Sequence, residues 1–198
     1  MNVSVIIPAY NAAPFLSRAV ESALQHDEVK EVLLIEDGSK DATLGICEQL
    51  VKAHTRVKLF QHPEGVNSGA GASRNLGIMN ATQDFISFLD ADDYFTPIRF
   101  HKEREIFISN SGADGVYGAI GVDYFDKEGA EAWEAKGLNQ KSLTTVNKQI
   151  DPKHLFEFLI GFNNPEDYKG YYSIDGLTVK RKSLLDSKVL FDISLRLH

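Results

Sequence analysis

Four short apolar runs, Val3–Ile7, Glu31–Ile35, Val57–Phe60 and Phe85–Leu89, alternate along the chain with segments of helical periodicity. The runs are too short for buried helices and rich in β-branched or aromatic side chains, so each reads as a strand. Between them, Leu16, Ala19, Val20, Ala23 and Leu24 share one helical face, and Ile46, Cys47, Leu50 and Val51 another. Pro8 is expected to stop the first strand, and Asn11 to cap the helix that follows. The glycine-rich stretch Gly65–Asn75 turns helical through Leu76 and Met79. Strands joined by helical crossovers imply a parallel sheet with helices on both faces, a Rossmann-like three-layer α/β/α fold with a mostly parallel central sheet.

Beyond the fourth strand, Thr96-Pro97 reads as an N-cap and N1 pair that opens a helix through Phe100, Ile106 and Phe107. Gly115–Ile120 reads as a further strand. Residues 126–150 are polar and weakly periodic, as in a surface excursion. His154–Phe162 is expected to be helical, Tyr171–Val179 a late strand, and Lys182–Asp186 a helical turn. The chain ends at His198 without a closing element, as if cut ahead of a natural terminus. At 198 residues it is expected to form a single domain, with residues 1–125 and 126–198 as its two halves.

A formal charge of −7 argues against a nucleic-acid partner, which selects a basic face. Cys47 is the single cysteine, which rules out an intrachain disulfide, and it falls on an apolar helix face where it reads as core. The opening Met1–Pro8 lacks a basic segment and a long enough apolar run for a signal peptide. Nowhere do about 18 apolar residues run together, so no transmembrane helix is expected.

Three strand ends carry unusual chemistry: Pro8-Ala9-Tyr10-Asn11, Glu36-Asp37-Gly38-Ser39, and Asp90-Ala91-Asp92-Asp93. In open α/β sheets such ends border the ligand crevice. There Tyr10 suits stacking on a planar base, and Asp37 suits accepting a hydrogen bond from a base N–H. Arg74, on a glycine-rich loop leading into a helix, suits phosphate. Asp90 and Asp92 suit the ribose hydroxyls and a hard cation, Mg²⁺ or Mn²⁺, on a diphosphate. Each element alone has a plainer reading: Asp37-Gly38 as a turn, Tyr10 as a strand-end aromatic, Arg74 in a surface ion pair, the acids as a solvated turn. Gly69-x-Gly71 is no dinucleotide fingerprint, because Arg74 stands where the third glycine belongs and the stretch follows the third strand. The acids do not form an EF-hand, since Phe95 and His101 occupy the positions that need Gly and Glu. Taken jointly, the spacing describes a nucleoside diphosphate site.

The chain resembles family-2 glycosyltransferases of the GT-A fold. The resemblance rests on Val5-Ile6-Ile7-Pro8-Ala9-Tyr10-Asn11, Glu36-Asp37-Gly38-Ser39-Lys40-Asp41, Gly71-x-x-Arg74-Asn75-x-Gly77 and Phe88-Leu89-Asp90-Ala91-Asp92-Asp93, in that order. It is close over residues 1–125 and weaker through Ser173–Gly176 and Phe191-Asp192. It implies a nucleotide-sugar donor, most often UDP-linked, a Mg²⁺ or Mn²⁺ ion, and inverting transfer to a glycan or lipid-linked acceptor in surface polysaccharide synthesis. By the same resemblance, Pro8, Ala9, Tyr10, Asn11, Glu36, Asp37, Gly38, Ser39, Arg74, Asp90, Ala91 and Asp92 form the nucleotide site. Asp90 would contact the ribose, and Asp92 would bind the metal with support from Asp90. The carboxylate base of the family follows a segment like Leu190–Leu195, so it is expected beyond His198. The resemblance further implies a cytoplasmic protein, with peripheral membrane association through that missing part. Two other functions fit the residues: a donor- and metal-binding fragment without transfer activity, and a sugar nucleotidyltransferase. The latter would carry its glycine-rich loop after the first strand, where Pro8-Ala9-Tyr10 stand.

Overall fold

A computed structural model describes residues 1–124, 126–135, 151, 173–188 and 190–193. The expected helix at His154–Phe162 and the beginning of the late strand at Tyr171 lie outside the described residues, as does most of 126–150. Two compact units are present, one formed by Met1–Gly118 with Leu177–His198, the other by Ala119–Gly176. The second unit contributes a helix, Lys127–Ala135, and a 3-10 turn at Ile174–Gly176.

In the first unit the four expected strands are β1 (Val3–Ala9), β2 (Val29–Glu36), β3 (Val57–Gln61) and β4 (Phe85–Phe88). They are joined by α1 (Leu16–Leu24), α2 (Thr43–Ala53) and α3 (Ala70–Asn80). Then follow α4 (His101–Ser109), β5 (Gly115–Tyr117) and, late in the chain, β6 (Leu177–Lys180) and a helix at Arg181–Ser187. The sheet order is β3-β2-β1-β4-β6-β5. The first four strands are parallel in register, with Ile6 opposite both Leu33 and Phe88. β6 runs antiparallel between β4 and β5. β1 thus lies between its successor β2 and the later β4, and the crossover direction reverses there. That reversal opens a crevice at the carboxyl ends of β1 and β4.

The two faces of the sheet are covered differently. Val3, Val5 and Ile7 of β1, with Val32 and Leu34 of β2, are buried under Leu16, Ala19 and Val20 of α1 and Cys47 and Leu50 of α2. On the other face Ile6 meets α3, where a Cβ on Gly77 would lie 2.4 Å from Ile6 Cγ2. The buried side of α3 is Ser73, Gly77 and Ile78, while Met79 is 61% exposed. Cys47 is core as expected, and burial pushes its thiol up to about 12.

Several boundaries depart from the sequence pattern for local reasons. β1 runs through Pro8 to Ala9, in register with Ile35 and Glu36. The carbonyl of Ile6 accepts from Leu89 N–H on the β4 side, so alternation turns Pro8 to that side too, where the ladder with β4 has ended and a missing N–H costs nothing. Asn11 does not cap α1. Phe15 holds that position without a side-chain cap, and Asn11 Oδ1 accepts from Lys40 N–H at 2.9 Å instead. Thr96-Pro97 precede α4 without capping it. Thr96 and Ile98 carbonyls accept from Arg99 and His101 N–H groups in tight i to i+3 turns, and the α-helix begins only after Phe100. β5 stops at Tyr117 and β6 starts at Leu177, both shorter than the apolar runs around them. Among the described residues no helix is long and apolar enough to cross a membrane.

Candidate active site

At the carboxyl ends of β1 and β4 lies a cleft of about 280 Å³, bordered by Pro8–Ala12, Phe15, Asp37, Ala70, Arg74 and Asp90–Asp92. Of the residues expected there, Pro8, Ala9, Tyr10, Asn11, Asp37, Arg74, Asp90, Ala91 and Asp92 border it together. Glu36, Gly38 and Ser39 do not; they stand behind it. Phe15, Ala12 and Ala70 are additional wall residues that carried no sequence signal beyond helix or turn composition.

Each wall is fixed by its own anchors. Tyr10 is 46% exposed, at the end of a strand otherwise buried, so its ring offers a face to the cleft. Asn11 adopts a left-handed φ of 49°, and Ser39 Oγ accepts its N–H at 3.0 Å. With the Asn11–Lys40 bond this ties the end of β1 to the turn after β2. Glu36, 1% exposed, accepts from Ser39 N–H at 2.5 Å and Gln61 Nε2 at 2.7 Å. Burial alone would raise its carboxyl, but those bonds and one from Gly38 N–H outweigh burial and hold it below its ordinary value.

Asp37 is 2% exposed, and both its oxygens are engaged: Oδ1 by Ser68 N–H at 2.7 Å, Oδ2 by Gly69 N–H at 2.9 Å. It therefore fastens the glycine-rich loop at the start of α3, a role the sequence pattern did not suggest. His62 stands beside it, with Nε2 3.6 Å from Asp37 Oδ1 and 3.0 Å from Ser73 Oγ. Gly38 permits the same approach, for at φ +72° its missing Cβ would fall 2.6 Å from the Gly65 carbonyl and 2.8 Å from Asn67 N.

The acid loop is carried by β4 and tied to α1. Phe95 N–H donates to Ser22 Oγ at 3.0 Å, and Gln25 Nε2 donates to the Phe95 carbonyl at 3.1 Å. Within the loop Asp93 N–H closes a turn on the Asp90 carbonyl at 3.0 Å. Arg74 Nη2 meets Asp90 Oδ1 at 2.5 Å, with side-chain exposures of 15% and 38%. Among the described residues, the buried Nε–H of Arg74 has no hydrogen-bond partner. A buried unpaired donor costs about 1–3 kcal/mol, and an anion at this wall would satisfy it. Asp92 is solvent-exposed at the rim. Its carboxyl is nevertheless held above its ordinary value, chiefly by partial loss of hydration and further because Asp93 and Asp90 repel its charge. A cation would relieve that cost.

The described residues hold no group of three or more His, Cys, Asp or Glu able to enclose a metal ion. A self-contained cage is therefore absent from them. Asp90 and Asp92 do fit a cation that takes its remaining ligands from water and a bound diphosphate, the usual manner of Mg²⁺ with substrate phosphates.

A mostly parallel sheet with an antiparallel far edge, and with acids and an arginine around its switch point, defines the GT-A class of α/β protein. S. aureus TarS residues 1–349 share this architecture with a TM-score of 0.69 at 20% identity, matching 100% of this chain and 52% of that one. TarS has also been solved with UDP and with UDP-GlcNAc. The model of glycosyl transferase family 2 matches residues 4–164, and the chain belongs to that family. An uncharacterized glycosyltransferase of Haemophilus influenzae is 34% identical over 152 residues, 75% of this chain and 54% of the relative. The minor teichoic acid biosynthesis protein GgaA of Bacillus subtilis is 29% identical over 200 residues, 98% of this chain and 40% of the relative. The chain thus spans about half the length of the curated relatives it matches.

Proposed function

We propose that this chain forms the donor-binding domain of a metal-dependent glycosyltransferase that takes a UDP-sugar and transfers the sugar, with inversion, to a glycan or lipid-linked acceptor in surface polysaccharide synthesis. The observation that carries the reading is the meeting of Arg74, Asp90 and Asp92 at the β1/β4 switch point, beside the exposed ring of Tyr10. Tyr10 stacks on the base. Asp37 keeps the glycine-rich loop and the start of α3 against the same end of the cleft. Asp90 takes the ribose hydroxyls, and Arg74 turns its Nε–H to the diphosphate. Asp92, with Asp90 in support, holds Mg²⁺ or Mn²⁺. When bound, the cation offsets negative charge on the departing diphosphate. The residues behind the wall, Glu36, Gly38 and Ser39, keep the turn that presents Asp37.

An inverting transfer also needs a carboxylate within hydrogen-bond reach of the acceptor hydroxyl. We expect that base beyond His198, so donor binding and turnover separate in this reading. Membership of family 2 supports the reaction class, and TarS in complex with UDP and UDP-GlcNAc directs the choice of probe. Titration calorimetry with UDP and Mn²⁺ tests the proposal. The parent chain is expected to bind UDP more tightly with Mn²⁺ than without, and Asp92→Ala to lose that increment. Absence of UDP binding by the parent, or equal metal dependence in both proteins, would overturn it.

A further inference from the structure

Arg74 is a long side chain held in one place, and the rotamer freedom it loses there must be offset by the contacts that hold it. Asp90 fixes one end of the guanidinium. The ring of Phe191 lies against it as well, with its centroid 5.6 Å from Arg74 Cζ, inside the range of a cation–π contact. That ring is locked in turn by Phe88 of β4, edge-on at 5.7 Å and 79°.

Phe191 stands 116 residues beyond Asn75, the residue that secures it. Asn75 Nδ2 donates to the Phe191 carbonyl at 2.9 Å, and Phe191 N–H donates to Asn75 Oδ1 at 2.9 Å. A primary amide here copies a neighbouring strand and satisfies both main-chain groups of one residue. Gly71, one turn earlier on α3, leaves room for the incoming chain: a Cβ there would touch Phe191 Cβ at 3.5 Å and the Asp192 carbonyl at 3.7 Å. Asn75 does not border the cleft.

We propose that Asn75 is a positioning residue for donor binding: by clamping the main chain of Phe191 it holds the Phe191 ring against Arg74 and keeps the guanidinium aimed at Asp90 and the diphosphate. This rests on the nucleotide-sugar reading above. It makes the late segment at Phe191 part of the donor site, although that segment is remote in sequence from every other residue of the cleft.

Two measurements on the full chain separate this proposal from the reading beneath it. The first needs no ligand: the ¹⁵N-edited NMR signal of Arg74 Nε–H, assigned with Arg74→Lys. In the parent it should exchange slowly with water and carry a ring-current shift from Phe191. In Asn75→Ala and in Phe191→Leu that shift should collapse and exchange should quicken about tenfold or more, whereas Phe191→Tyr should keep the parent signal. The second is UDP affinity with Mn²⁺. Asn75→Ala and Phe191→Leu should each weaken it about tenfold, the scale of one charged contact, and Phe191→Tyr should stay within about twofold. In an Arg74→Lys background, which keeps the charge but loses the planar stack, neither substitution should add a further loss. An Nε–H signal unchanged in Asn75→Ala would overturn the positioning role, as would equal losses in the two backgrounds. A parent that fails to bind UDP removes the donor reading, while the Nε–H signal still decides whether Asn75 places Arg74. Asn75→Asp keeps the acceptor for Phe191 N–H and loses only the donor to its carbonyl, so a partial loss of the Nε–H shift in that variant supplies the answer if Asn75→Ala does not fold.

Discussion

Asp92 shows how a single side chain can oppose the fold that carries it. Exposed on the rim and crowded by Asp90 and Asp93, its carboxylate is disfavoured by desolvation first and by like charge second. Such a group sits where a ligand, not the resting protein, repays its charge. Asp92→Asn removes the unfavourable charge and keeps the shape. The variant is therefore expected to unfold at no lower temperature than the parent, yet to lose the Mn²⁺-dependent part of UDP binding. Calorimetric scans beside binding titrations check this, and a lowered unfolding temperature would mean that Asp92 has a structural duty instead. Asp37 illustrates the reverse. Its oxygens are committed to Ser68 and Gly69 N–H groups, and an amide at this place would set an NH₂ against one of those donors. Asp37→Asn is expected to cost about 2 kcal/mol of stability in urea unfolding, the scale of hydrogen bonds to a charged group. No loss of stability would reduce Asp37 to a ligand contact alone.

At the level of elements, the contact that places the cleft is α3 on β1. Gly77 brings the helix so near that an added Cβ would lie 2.4 Å from Ile6 Cγ2. Ile6 is fully buried in a central strand and cannot give way. Gly77→Ala is expected to destabilise by about 1–3 kcal/mol through overpacking, despite the better helix propensity of alanine. Ile6→Ala alone should cost about 2–5 kcal/mol as a cavity. Because each relieves the other, the double variant should lose clearly less than the sum, and additive losses in urea unfolding would contradict the contact. The four parallel strands and their helices were legible because each is a local pattern of β-branched runs and three-four spacing. The starts of α1 and α4 were not. Asn11 and Thr96-Pro97 have the right composition for caps, but Asn11 is bonded across to Lys40, and Thr96–Phe100 close tighter turns first. β6 was legible only as a vague late strand. Its place between β4 and β5 depends on pairing with Phe85–Ser87 about ninety residues away, which no local period records. For the same reason the cleft's acids and Tyr10 could be picked out from strand ends and Arg74 from its glycine-rich stretch, while the Asp37 fastening and the Asn75–Phe191 clamp could not. Both depend on which loop is folded back on which.

Across the sheet as a whole, the cleft and the buried carboxylate that ties the strands furthest from it sit at opposite ends. The carboxyl ends of the parallel strands carry the cleft; their amino ends are bound together by Glu31. This side chain, 2% exposed, accepts from Ser4 Oγ of β1 at 2.6 Å, from Lys58 Nζ of β3 at 2.6 Å, and from Thr82, just before β4, through N–H at 2.6 Å and Oγ1 at 2.9 Å. Burial would raise its carboxyl, but the bonds from Lys58, Ser4 and Thr82 together outweigh burial and leave it below its ordinary value of 4.5. A carboxyl lower in the folded chain than in the unfolded one contributes stability that is full above 4.5 and is lost as pH falls through the folded value. Glu103 works in the opposite sense. Burial raises it more than its Arg99 partner lowers it, so its ionisation weakens the fold as pH rises. Comparing the parent with Glu31→Gln cancels that second contribution, because Glu103 is present in both. Glu31→Gln is expected to be about 2 kcal/mol less stable at neutral pH, from a lost ion pair whose Lys58 partner is half-exposed and from an acceptor turned donor. The gap should narrow as pH falls below about 4.5, where the parent takes up the proton that the variant never releases. Urea unfolding of both proteins across this range measures the gap. Where Glu31→Gln remains folded, its UDP affinity should equal that of the parent, since the cleft is built at the far end of the same strands. A gap independent of pH, or a loss of UDP affinity in step with stability, would mean that the two ends of the sheet are not separate in their duties.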